Sequence, residues 1–153
     1  ELGTDYIDIV LIHCMVSGNW LEDEKKHRDN LSEAKQKGII KTHGVSCHSF
    51  KAFKAAAGSD WVEVLLARIN HKGPYMDESP DKVMPILKQA HDRGAGVIGM
   101  KVYGCGKLST AAERQKSLEY VLRSGNVDAI TIGIESSDQV DENIALVTKI
   151  LKS

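Results

Sequence analysis

Side chains able to do chemistry recur at one kind of place in this chain, at the end of short apolar runs. They are His13 with Cys14, then Ser46 with Cys47 and His48, then Asn70 with His71, then Lys101, and last the segment Gly133 to Ser136. An imidazole N–H can hold a carbonyl oxygen while negative charge builds on it. A lysine such as Lys101, with its ammonium poorly solvated, can form a Schiff base with a carbonyl substrate; its plainer role is pairing with a carboxylate or phosphate. His13, Cys47, His48 and His71 are residue types that ligate zinc. No HxH pair accompanies them, and no metal is expected.

Two glycine-bearing segments have the character of anion sites. Tyr103-Gly104-Cys105-Gly106-Lys107-Leu108 lets backbone N–H groups come close to a phosphate, or serves as a flexible turn. Gly133-Ile134-Glu135-Ser136-Ser137-Asp138-Gln139 runs into the last helix, whose first N–H groups are free to face an anion.

Five strand–helix units are predicted to position these residues. Strands are expected over 6–13, 39–46, 62–69, 96–102 and 127–133, apolar and β-branched as strands buried on both faces are. The first helix is expected from about Leu21 or Arg28 to Lys37, ended by Gly38. A short helix over 49–57 puts Phe50, Phe53 and Ala57 on one face. Ser79 and Pro80 read as a cap and a first-turn proline, although Pro85 predicts a kink or a later start. Thr110 to Glu113 has capping-box spacing. Val140, Ile144, Val147 and Leu151 form the apolar stripe of the final helix.

Crossovers of this length imply parallel strands joined right-handedly. Five such units suit a flavodoxin-like doubly wound α/β sheet or five units of a TIM (β/α)8 barrel. Length alone favours the first. The loop after the first strand, His13 to Trp20, has no glycine-rich phosphate pattern and argues against it.

Composition narrows the function classes. The 153 residues carry 20 basic and 21 acidic side chains, a formal charge of -1, which excludes a polycationic nucleic-acid binder. No apolar run is long enough to span a membrane. Three cysteines without paired spacing argue against a disulfide framework and for a reducing compartment, so a cytoplasmic location is expected.

Three segments then point to a family. Asp5 to His13 (DYIDIVLIH) closely resembles the "DYIDLxLIHxP" segment of aldo-keto reductases. Lys37 to Ser46 (KGIIKTHGVS) is similar to their "GKIRxIGVSN". Gly133 to Asn143 is similar to their cofactor-clamping "GxSSxEQLxEN". The resemblance implies a (β/α)8 barrel binding NADP or NAD in extended form, and reversible hydride transfer to an aldehyde or ketone. It places the carbonyl-orienting histidine at His13. The family's tyrosine, lysine and aspartate fall in units that precede this segment, and Tyr6, Tyr75, Tyr103 and Lys101 do not match them. Residues 1–153 therefore read as the C-terminal portion of one barrel domain from about the fourth strand onward, with Glu1 just before that strand. Such a portion is expected to be inactive alone, and to self-associate or pair with the N-terminal part.

For the cofactor the resemblance implies contacts from Ser46, Cys47 (where asparagine is usual), Asn70, Met100, Lys101, Gly104, Glu135, Ser136, Gln139, Glu142 and Asn143. The family's glutamine falls near Leu66, and Asn70 is taken in its place. Met100 stands where an aromatic ring commonly stacks. Glu135 stands where many members put a base near the 2′-phosphate, which predicts a relative preference for NADH. Two other readings stay open: a non-catalytic nicotinamide-binding barrel subunit, and a lyase or aldolase using Lys101.

Overall fold

The computed structural model describes residues 3–152, so Glu1 lies outside the described residues. Five strands form one parallel sheet in simple sequence order: β1 (Ile7–Met15), β2 (Ile40–Cys47), β3 (Val64–Arg68), β4 (Gly96–Met100) and β5 (Ala129–Ile130). Between them run α1 (Trp20–Asp23), α2 (Lys25–Gln36), α3 (Phe50–Ala57), α4 (Pro80–Asp92) and α5 (Ala111–Leu122), and α6 (Ser137–Lys152) follows β5. Among the described residues no strand is inserted out of order, as it would be at the switch point of a doubly wound sheet. The order is that of consecutive units of a (β/α)8 barrel.

The core lies between the sheet and the helices. Val45, Cys47, Leu65, Ala67, Ile69 and Val97 point into it from alternate strand positions and meet Phe53, Val83, Leu87, Leu118 and Val121 from the helices. Full burial of a side chain such as Leu87 is worth roughly 2 kcal/mol. At Gly44 a Cβ would sit 1.8 Å from the Val64 carbonyl oxygen, so β2 and β3 approach more closely there than any side chain permits.

Local signals explain the helix ends. The Ser49 hydroxyl accepts the Ala52 N–H, and Thr110 and Glu113 form the full reciprocal capping box. Pro85 does not delay α4, which starts at Pro80 and continues unbroken through Pro85 to Asp92. Its missing N–H would have met the Asp81 carbonyl, and both residues are exposed, so water can serve that carbonyl.

The flanks differ from expectation. β5 has two residues instead of seven, because among the described residues it pairs only with β4 and no strand lies beyond it. On α6 the apolar residues facing the core are Leu146, Val147 and Ile150. Val140, Ile144 and Leu151 of the anticipated stripe stay exposed.

Candidate active site

The C-terminal ends of β1 to β4 gather a compact polar cluster. Its first member is aimed by an irregularity in β1. Ile12 pairs with Val45 and Met15 with Cys47, so three steps on β1 match two on β2. The extra residue is taken up at His13 and Cys14, with Cys14 in the left-handed region at φ 65°. Such a bulge redirects a side chain at a strand end. It brings His13 Nδ1 to 3.3 Å from Ser46 Oγ, while that oxygen accepts the Cys14 N–H at 2.8 Å. The Ser46 hydroxyl keeps one proton to donate, and His13 Nδ1 can accept it; His13 then carries its own proton on Nε2.

A second chain of contacts lies beside the first. The His13 and His48 rings meet edge to face with centroids 5.8 Å apart. Arg68 donates through Nη2 to His48 Nδ1 at 2.7 Å and through Nη1 to Asp77 Oδ1 at 3.0 Å. Burial of Asp77 pushes its carboxyl above the ordinary range, and the Arg68 guanidinium only partly offsets this. Burial lowers the His48 pKa, helped by the positive charges of Arg68 and Lys101. Arg68 and Asp77 were not anticipated from sequence. The available signal was a lone arginine on the inward face of the apolar run VLLARI.

The anticipated cofactor residues divide into three sets. Ser46 sits in the cluster just described, and Met100 is buried at the end of β4. Lys101 follows in the left-handed region at φ 58°. Cys47 points instead into the apolar core, fully buried, with its thiol pushed up to about 12 by desolvation; side-chain alternation puts it on the opposite face from Ser46. Asn70 has all its hydrogen-bonding capacity engaged. Its amide donates to the Pro74 and Lys101 carbonyls, and its oxygen accepts the Lys72 and Gly73 N–H groups. It pins two loops together and has no free group to offer a ligand. Gly104 is buried against Pro74 in the same seam.

The third set lies at the start of α6. Glu135 is exposed, and its backbone N–H donates to Gln139 Oε1 at 2.9 Å. The Gln139 N–H reaches Ser136 Oγ at 3.4 Å. Glu142 pairs with Arg114 at 2.5 Å, and Asn143 accepts the Tyr103 hydroxyl. Desolvation pushes the Tyr103 phenol up to about 12, so it remains a donor at neutral pH. Near by, an open groove of about 590 Å³ is lined by Lys72, Pro74, Tyr75, Lys107 and Leu108. Among the described residues no group of histidine, cysteine and carboxylate side chains could hold a metal ion.

Comparison with known proteins bears on the chain and its fold. The aldo/keto reductase family model matches residues 1–120. The chain belongs to the aldo/keto reductase family. Its structure is similar to that of PA4992 of Pseudomonas aeruginosa, described as a candidate aldo-keto reductase, at TM-score 0.77 and 19% identity over 98% of this chain and 53% of that one. It is similar to aldo-keto reductase AKR11C1 of Bacillus halodurans at TM-score 0.71 and 20% identity, over 94% of this chain and 56% of that one. An aldo/keto reductase of Klebsiella pneumoniae, solved with NADP and acetate, matches at TM-score 0.64 and 15% identity over 94% of this chain and 54% of that one. The chain thus spans about half the length of these relatives. No curated protein matches it.

Proposed function

We propose that these residues form the C-terminal part of a nicotinamide-dependent reductase acting on an aldehyde or ketone, with His13 orienting the carbonyl. The observation that carries this reading is the Cys14–Ser46–His13 arrangement in the barrel mouth of an aldo/keto reductase family chain. Ser46, held by the Cys14 N–H, fixes the imidazole so that its Nε2–H can donate to the substrate oxygen as charge develops there. Met100, buried at the strand end, helps keep water from the reacting carbon.

The residues fit a dinucleotide in their donor set. Lys72, Lys107 and Tyr75 line an open groove beside the glycine loop, two cationic chains and an aromatic ring suited to phosphate and base. Ser136 and Gln139 present side chains at the exposed start of α6, and Arg114 stands behind Glu142. When bound, nicotinamide supplies the hydride. The role of Asn70 is to hold the groove wall, and that of Cys47 to pack beneath Ser46. Glu135, exposed and beside Gln139, would repel a 2′-phosphate and accept from a ribose hydroxyl, which supports the relative preference for NADH. The bare edges of β1 and β5 support pairing with the N-terminal part of a barrel, which supplies the proton donor in this reading. A cytoplasmic setting suits three free cysteines.

The test is turnover of a panel of aldehydes and ketones by the full natural chain, with NADH and NADPH compared. His13→Ala should lower kcat/KM by about 10² to 10³. Equal rates for the variant and the parent chain overturn the role of His13, and a strong NADPH preference overturns that of Glu135.

A further inference from the structure

The mouth holds a second imidazole whose protonation state is dictated by its neighbour. Arginine has five N–H donors and no acceptor. A guanidinium nitrogen 2.7 Å from His48 Nδ1 therefore requires that Nδ1 be the bare, accepting nitrogen. The His48 proton then sits on Nε2, and an imidazolium would break the contact. Asp77, bonded to the other arm of Arg68, keeps the guanidinium in that position. His48 Nε2 bonds nothing among the described residues and is not one of the buried polar atoms lacking a partner, so it keeps surface open to solvent. Burial and the cations Arg68 and Lys101 favour the same neutral ring.

We propose that His48 is a second substrate-orienting donor, its Nε2–H acting beside that of His13 on substrates that carry an acceptor oxygen on the carbon next to the reducible carbonyl. The two rings touch edge to face at 5.8 Å, close enough for oxygens on adjacent carbons to be shared between them. A 2-oxo ester offers two such acceptors, whereas a simple ketone uses one donor and leaves His48 idle. Arg68 is then a positioning residue, and Asp77 positions Arg68. This rests on the reductase reading for its consequence, though not for the tautomer.

Two measurements on the full natural chain decide it. Long-range ¹H–¹⁵N spectra of histidine-labelled protein at neutral pH should show His48 protonated on Nε2, with that state lost in Arg68→Met. Ethyl pyruvate should shift the Nε2 signals of both His13 and His48, and 2-butanone that of His13 alone. In turnover, His48→Ala should cost about tenfold in kcat/KM for ethyl pyruvate, mostly in KM, and less than about twofold for 2-butanone. His48→Gln, which keeps an N–H donor, should recover most of the loss. A proton on Nδ1, or equal losses on both substrates, overturns the proposal. If no carbonyl is turned over, the reductase reading fails, while the spectra still settle what His48 does.

Discussion

The middle of the sheet and its flanks are made of similar apolar residues, yet they hold them in different ways. From β2 to β4 each strand has a neighbour on both sides, and β3 and β4 pair over five consecutive residues. Val45, Leu65, Val97 and Leu87 there have no exposed surface. At the flanks, Tyr6 and Ile9 beside or on β1, and Val140, Ile144 and Leu151 on α6, keep 39 to 68% of their surface exposed. The hydrophobic effect acts only where a second surface arrives, so equal hydropathy does not mean equal stabilisation. The mouth cluster joins the closed middle, which carries Ser46, His48 and Arg68, to the edge strand β1, which carries His13, while the α6 residues rest on the open flank.

Substitutions can break or sharpen that contrast. The largest effect should come from Gly44→Ala, where a methyl would overlap the Val64 carbonyl; a loss above about 3 kcal/mol, or no soluble folded protein, is expected in urea unfolding. Next, Leu87→Ala should cost about 2 to 5 kcal/mol by opening a cavity. Ile144→Ala, at 60% exposure, should change stability by no more than about 0.5 kcal/mol in the same assay. Comparable losses at the two sites would mean that α6 is covered in solution.

An effect between those of Leu87→Ala and Ile144→Ala is expected where the regions meet. Tyr103→Phe removes the hydroxyl that donates to Asn143, at a cost of about 1 kcal/mol, and should speed amide exchange in α6 more than in α4.

The last prediction concerns acid. His48 has a folded pKa below its ordinary 6.5, so below pH 6.5 the unfolded chain binds the proton more readily. Its contribution is therefore complete above pH 6.5 and is lost as pH falls toward the lowered value. His71, lowered by burial and by Lys116 and Lys72, acts with the same sign. His48→Gln should flatten part of the stability loss below pH 6.5 in melts across pH 5 to 7, and an unchanged slope would remove His48 from the acid response.

What the residue pattern could show follows the same division. Period and capping located the strands and helices of the middle to within about two residues, because burial there obeys local alternation. At the flank, 127–133 has the composition of a full strand, but pairing needs a neighbour that composition does not contain. The expected α6 stripe was only partly right for a related reason: Val147 meets the core, whereas Val140, Ile144 and Leu151 do not. Val140, Ile144 and Leu151 keep helical spacing, and so do Leu146, Val147 and Ile150; only packing chooses between them. In the mouth, His13 and Ser46 were legible through their strand ends. Arg68 and Asp77 were hidden, since their partnership joins a strand to a loop nine residues on. Asn70 carried a readable turn signal in Asn70-His71-Lys72-Gly73, an asparagine bonding backbone N–H groups two and three residues ahead.

That asparagine also bears on kinetics. One side chain joins the loop at Pro74 to the end of β4 at Lys101, and a methyl on Gly104 would press to 2.6 Å of Pro74. The two loops bordering the groove are thereby tied together: moving one against the other would break the Asn70–Lys101 hydrogen bond and the Gly104–Pro74 packing, while three further bonds of the same side chain hold the 70–74 turn in shape. Traffic through the groove then falls to the exposed chains of Lys72, Tyr75 and Lys107, which reorient on the picosecond-to-nanosecond scale typical of surface rotamers. Arrival of a ligand there should be paced by diffusion, with no slow opening step ahead of it.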